Sequence, residues 1–83
     1  MKLNETIKMM QSEDFKERFR GEYFQLKIRM DGLAIMLEKY KAGTLPFKPN
    51  CSYDILNGQL KAMKMYASYL EERAEIENVS LEM

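Results

Sequence analysis

Apolar side chains recur through most of this chain at intervals of three and four residues, the period of an α-helix, and few stretches alternate at period two. The pattern predicts an all-α protein, a short N-terminal helix followed by a long antiparallel helical hairpin. Asn4 is the expected cap of a helix over residues 5–11, and Ser12, followed by Glu13 and Asp14, of a second over 13–42. Gly43 stops that helix, and Pro46 and Pro49 prevent its resumption, which leaves 43–52 as a loop. Within the loop, Leu45 and Phe47 are expected to cover the open end of the helix pair. Ser52, with Asp54 two positions on, opens a third helix over about residues 53–78. The chain reads as a single helical domain over residues 1–83, without internal repeats or low-complexity segments.

On the second predicted helix, Phe15, Phe19, Tyr23, Leu26, Met30, Leu33, Leu37 and Tyr40 follow one another at steps of three or four. This is a coiled-coil-like seam. At about 100° per residue, Phe24, Ile28 and Ile35 fall nearly opposite it, with Gly21 and Gly32 beside them. A glycine inside a helix costs roughly 1 kcal/mol against alanine, so two of them need a reason. A lone hairpin buries one seam and not two opposed ones. The economical reading is a homo-oligomeric bundle joined through Gly21, Phe24, Ile28, Gly32 and Ile35, the glycines admitting a neighbouring backbone. A kinked helix is the alternative.

The third predicted helix carries its own strict seam of Leu56, Leu60, Met63, Ala67, Leu70 and Ala74, which can pack on the second. A neighbouring stripe of Ile55, Ala62, Tyr66, Tyr69, Arg73 and Ile76 widens its apolar face. Lys61, Lys64, Glu71 and Glu75 mark its polar face. The first helix, with Ile7, Met9 and Met10, is expected to fold across one end of the pair or onto a neighbour.

Composition narrows the functions. A chain of 83 residues buries only about 60% of the surface of its unfolded form, a thin margin that partner subunits often supplement. One cysteine forbids an intrachain disulfide, and the absence of histidine removes the commonest metal ligand and the usual general base. Histidine-dependent nucleophilic dyads and triads are excluded. Thirteen basic residues balance thirteen acidic ones. The balance is uneven, since residues 1–49 hold ten Lys/Arg and seven Asp/Glu whereas residues 50–83 hold three and six. A +3 half and a −3 half suit packing of one on the other. They argue against nucleic acid, which selects strongly basic domains. No apolar run approaches the roughly 18 residues of a membrane span. The N-terminus lacks the apolar core of a signal peptide, so a cytoplasmic setting is expected and Asn78-Val79-Ser80 is read as a chance sequon.

Three clusters could carry chemistry. Arg20 and Lys27, two turns apart beside Tyr23 and Phe24, can hold a phosphate and stack a base. Tyr66, Tyr69 and Arg73 are candidates for a facing wall. The plain alternative makes Arg20 a solvated flank residue paired with Glu13 or Glu17, and Arg18, Glu22, Gln25 and Arg29 a surface ladder. Glu72 and Glu75, one turn apart, are the only E-x-x-E pair, and no E-x-x-D partner completes a magnesium site. We therefore expect a solvated acidic face, with no metal, no cofactor and no catalytic residue. Cys51, without a base or a second thiol, is read as a small packing residue.

The segments Thr6–Met10, Ser12–Lys27 (SEDFKERFRGEYFQLK), Pro49-Asn50-Cys51-Ser52, Gln59–Met63 and Glu72–Glu77 together resemble small helical proteins of phages and prophages of gut bacteria, crAss-like phages among them. A fainter similarity links the long helix, the turn with Cys51, and Leu60 with Ala62-Met63 to the anti-CBASS sponge proteins, helical hairpins whose oligomers hold cyclic dinucleotides between subunits. The N-terminal aromatic–basic ligand segment of those proteins has no match in this chain. The resemblance implies an anti-defence protein in the cytoplasm of a bacterial host. It would sequester a small anionic signal, a cyclic dinucleotide or an ADP-ribose-type ligand, without turning it over. The alternative is an inhibitor or adaptor docking on a host defence protein through Phe24, Ile28 and Ile35.

Overall fold

The two long helices of the computed structural model begin at short polar side chains and end at left-handed residues. A 3-10 turn at Leu3–Glu5 leads into α1 (Thr6–Met10), followed by α2 (Phe15–Ala42) and α3 (Tyr53–Glu77), with no strand among the described residues. The structure describes residues 1–82; Met83, the last residue of the expected domain, lies outside the described residues.

Two expected caps are corrected. Asp14, not Ser12, caps α2, its carboxylate accepting the Lys16 N–H at 3.1 Å. The Ser12 hydroxyl instead accepts the Asp14 N–H at 3.1 Å and bends the chain into the cap. A carboxylate gains from the helix dipole as a hydroxyl does not. Asn4 caps nothing, because it lies inside the 3-10 turn, which is tied by the Lys2 N–H to Glu5 Oε1 at 3.3 Å. Ser52 does cap α3, accepting the Ile55 N–H at 3.2 Å.

The C-termini of α2 and α3 close by one device. Gly43, at φ 74°, ends α2, while Thr44 N–H reaches back to the Lys39 carbonyl at 2.9 Å. Asn78, at φ 58°, ends α3, while Val79 N–H reaches the Ala74 carbonyl at 2.8 Å. Both are Schellman turns, in which the residue after the left-handed one commonly packs back on the helix. Val79 does so and is buried. Asparagine can take the left-handed position because its short side chain tolerates positive φ.

α2 and α3 pack along the expected seam. Phe19, Tyr23, Leu26, Met30 and Leu37 join Leu60, Ala67, Leu70, Ala74 and Val79 in one buried cluster, with Leu33, Leu56 and Met63 partly buried against it. Large side chains on α2 meet two alanines on α3, which lets the helices approach. The seam frays at its ends. Phe15 is exposed and only edges against Phe19, with ring centroids 6.1 Å apart. At the loop end, Tyr40 and Tyr53 meet edge to face at 5.7 Å. They cover the end that Phe47 was expected to cover. Phe47 is exposed and Leu45 half-buried, and with Pro49 they line a cavity beside Tyr40 without burying Phe47.

The first helix does not cross the end of the pair. It touches α2 and not α3, and its seat is Gly21, about 200° round α2 from Tyr23 and Phe19. A Cβ at Gly21 would stand 2.9 Å from Met9 Cβ, 2.9 Å from Met10 Cγ and 3.0 Å from the Met10 backbone nitrogen. Thr6, buried in this contact, satisfies its hydroxyl by donating to the Leu3 carbonyl at 2.7 Å. The glycine thus admits a backbone, as its position implied, but that of its own chain. Gly58 has nothing within 4 Å of its Cβ position. Gly21→Leu should cost about 1–3 kcal/mol by overpacking the α1 contact. Gly58→Ala should raise stability by up to about 1 kcal/mol through helix propensity alone. Urea unfolding of the two variants checks both signs.

Candidate functional site

The left-handed turn at Asn78 sends the C-terminal residues back along α2 across the basic edge. Lys16 Nζ donates to the Asn78 carbonyl at 3.1 Å, and Arg20 Nη1 to the Ser80 carbonyl at 2.6 Å. Arg20 also lies over the Phe24 ring, 5.2 Å from its centroid, and only grazes Glu17 at 4.0 Å. One turn further on, Tyr23, Phe24, Lys27, Ile28 and Asp31 wall a cavity of about 360 Å³, closed by Leu81 and Met1. The cavity offers an aromatic wall, one ammonium donor and one carboxylate acceptor. The strap of residues 78–81 fixes one more cation, Arg20, at its edge, and is itself held at its start by Lys16.

Tyr23 joins this wall to α3. Its hydroxyl donates to Glu71 Oε2 at 2.5 Å. Its pKa is pushed up from 10.0 to about 12, first by burial, then by the hydrogen bond to Glu71 and by the charge of that carboxylate. At the opposite edge of the hairpin the Tyr66 hydroxyl donates to Glu22 Oε2. Tyr66 and Glu71 are five residues apart on α3, about 140° round its axis. The two tyrosine–glutamate bonds therefore clip the hairpin on its two different faces.

This geometry sorts the expected ligand residues. Tyr23, Phe24 and Lys27 share the cavity wall, and Arg20 adjoins it under the strap. Tyr66, Tyr69 and Arg73 stand on the other face, exposed. Arg73 covers the Phe19 ring at 5.0 Å and pairs with Glu77 at 3.2 Å. One protomer therefore does not bring the two groups to a common pocket. Of the expected interface positions, Gly21 is filled by α1 and Phe24 is buried, which breaks the Phe24/Ile28/Ile35 stripe as an exposed surface. Ile28 is half-buried, and Gly32 and Ile35 are exposed on a free part of α2. The acidic cluster is divided, with Glu71 on Tyr23 and Glu77 on Arg73. No group of three His, Cys, Asp or Glu suited to a metal ion occurs among the described residues. Cys51 is exposed rather than packed, since the loop that carries it stands off the core.

The composition of the strap escaped the sequence pattern. Asp31 and Leu81 line the cavity and Lys16 holds the start of the strap, and only the apolar pair Val79 and Leu81, two residues apart beyond a helix end, hinted at it.

A family model matches residues 13–76, most of the chain. This chain belongs to the Sequestin family. The Sequestin match takes in the basic edge of α2, the loop and nearly all of α3, and leaves α1 and the strap outside its span. No curated protein and no solved structure gives a significant match. No helix among the described residues is long and apolar enough to cross a membrane.

The Tyr23 shift fixes an alkaline signature. A phenol whose folded pKa exceeds its unfolded value contributes stability that is complete below pH 10.0 and is lost as pH rises through about 12. Ultraviolet titration should show one of the five tyrosines ionising last, with that late step missing in Tyr23→Phe. Loss of the hydrogen bond should cost about 1 kcal/mol at neutral pH.

Proposed function

We propose that this protein sequesters a small anionic, nucleotide-like signal without turnover, at a pocket that a second copy completes. The Sequestin family name speaks of sequestering, which is binding without catalysis. The observation that carries the reading is the Tyr23–Phe24–Lys27 wall with Arg20 at its edge. Aromatic faces stack a base with little regard to its identity. Lys27 and Arg20 supply charge-assisted bonds to phosphate oxygens. Asp31 accepts from an amino group or a ribose hydroxyl, a role that a plain phosphate site would not need.

Size argues for sharing. At about 360 Å³, the cavity stands at the low end of ligand pockets, which run to about 1,000 Å³. A cyclic dinucleotide or an ADP-ribose derivative would project beyond it. The free face of Ile28, Gly32 and Ile35 continues from the cavity wall along α2 and is the surface on which the second copy would close over the ligand. In this reading the ligand is a nucleotide immune signal and the setting is the cytoplasm of a bacterial host, where holding the signal blunts a defence response.

Calorimetry against a panel of cyclic dinucleotides and ADP-ribose derivatives tests the proposal. At least one should bind and be recovered chemically unchanged. Lys27→Ala should weaken it roughly 10- to 100-fold, the value of a lost charge-assisted hydrogen bond. No heat from any member overturns the ligand class, and a converted ligand overturns the absence of turnover.

A further inference from the structure

We propose that the outward face of α3 is a second interaction surface, which pairs antiparallel with the same face of another copy. Ile55, Ala62, Tyr66, Tyr69, Arg73 and Ile76 lie on one side of α3, and every one of them is exposed. Ile76 is 79% accessible, Ile55 65% and Tyr69 61%, and Met65 flanks them at 64%. The steps from Ala62 through Tyr66, Tyr69 and Arg73 to Ile76 are four, three, four and three, a heptad seam parallel to the one that α2 buries. Seams of this period bury themselves against another helix, and α2 reaches this one only at its edge, through Glu22 on the Tyr66 hydroxyl and the Phe19 ring under Arg73.

Charge and shape identify the occupant. Residues 53–64 of α3 carry two lysines and one acid, whereas residues 71–77 carry four glutamates and one arginine. A parallel pair would lay the acidic ends side by side. An antiparallel pair lays each acidic end along the lysine-bearing half of the other, so a second copy of α3 is itself the complementary partner. About a two-fold axis between Ala67 and Ser68 the central part of the seam, Ala62 to Arg73, maps onto itself. Tyr66 then faces Tyr69 of the second copy, Ala62 faces Arg73, and Gln59 faces Ile76. The small alanine makes room for the arginine stem, and the tyrosines meet as an aromatic pair whose hydroxyls stay at the wet rim. The contact is isologous and closes at two copies. It lies on the opposite face of the hairpin from the Tyr23–Lys27 cavity, so it does not depend on the ligand reading.

Cross-linking in a Cys51→Ser background reads the register, since Cys51 is the only native cysteine. Gln59→Cys and Ile76→Cys alter exposed positions and leave the core untouched. Mixed together and oxidised, the two variants should form a disulfide-linked pair, while each alone should not. A linked pair in either variant alone, or none in the mixture, overturns the proposal. Light scattering gives the second arm, in which the double variant Tyr69→Glu/Ile76→Glu should halve the subunit number with helicity by circular dichroism unchanged. A monomeric unsubstituted protein, or a subunit number that the double variant leaves intact, overturns it as well.

Discussion

The structure depends on the close approach of α2 and α3 along a seam in which one side supplies bulk and the other supplies room. Phe19, Tyr23, Leu26 and Met30 are large, whereas Ala67 and Ala74 are small, and Leu70, the most deeply buried core residue, sits between the two alanines in sequence. Burial of one large apolar side chain is worth about 1.5–3 kcal/mol, so this seam is the main source of stability in so short a chain. α3 adds Leu60 and Leu70 to its two alanines, with Leu56 and Met63 packed beside them. α1 adds only the patch around Gly21, and the ends of α2 and α3 that flank the loop add one aromatic pair, Tyr40 on Tyr53.

The rest follows from what that seam leaves over. A helix pair buries one strip of each partner, and both helices carry apolar residues over a wider arc. Each leftover strip has met a different end in this fold. On α2, part is covered by α1 and by the strap, and the remainder around Gly32 and Ile35 is open. On α3, the strip from Ile55 to Ile76 is exposed, and α2 touches it only at Tyr66, through Glu22, and at Arg73, through the Phe19 ring. The two tyrosine–glutamate bonds, one on each face, hold the helices against rotation about their own axes. They keep these strips pointing in opposite directions.

Much of the architecture was legible in the sequence, because the strongest signals were punctuation and period. Gly43 with two prolines, and Ser52 with Asp54, place the turn and the third helix without any knowledge of packing. The start of α2 was misplaced by two residues because Ser12 and Asp14 both have cap-forming side chains and only the three-dimensional path chooses between them. Gly21 was read correctly as a place of close approach. Whether the approaching backbone is cis or trans is decided by the length and course of residues 11–14, which carry no periodic signal. The ligand residues show the sharpest limit. A helical wheel says that Arg20, Tyr23 and Lys27 share a side of α2, and that Tyr66, Tyr69 and Arg73 share a side of α3. It does not say which side of one lies beside which side of the other. That depends on the handedness of the hairpin, a property of the whole fold.

The strap explains how a neutral chain presents a basic site. Summed charge is zero, and the +3 and −3 halves would be expected to neutralise each other across the seam. Across the seam, however, the direct polar contacts pair tyrosine hydroxyls with glutamates, and the cations Lys16 and Arg20 are met by backbone carbonyls instead. A carbonyl accepts a hydrogen bond without cancelling the positive charge of its donor. The strap therefore orders both side chains without adding a negative charge beside them. A carboxylate in the same position would have ordered them equally well and removed the attraction for an anion. The neutral backbone of residues 78–80 thus keeps this edge basic, as the proposed anion site requires.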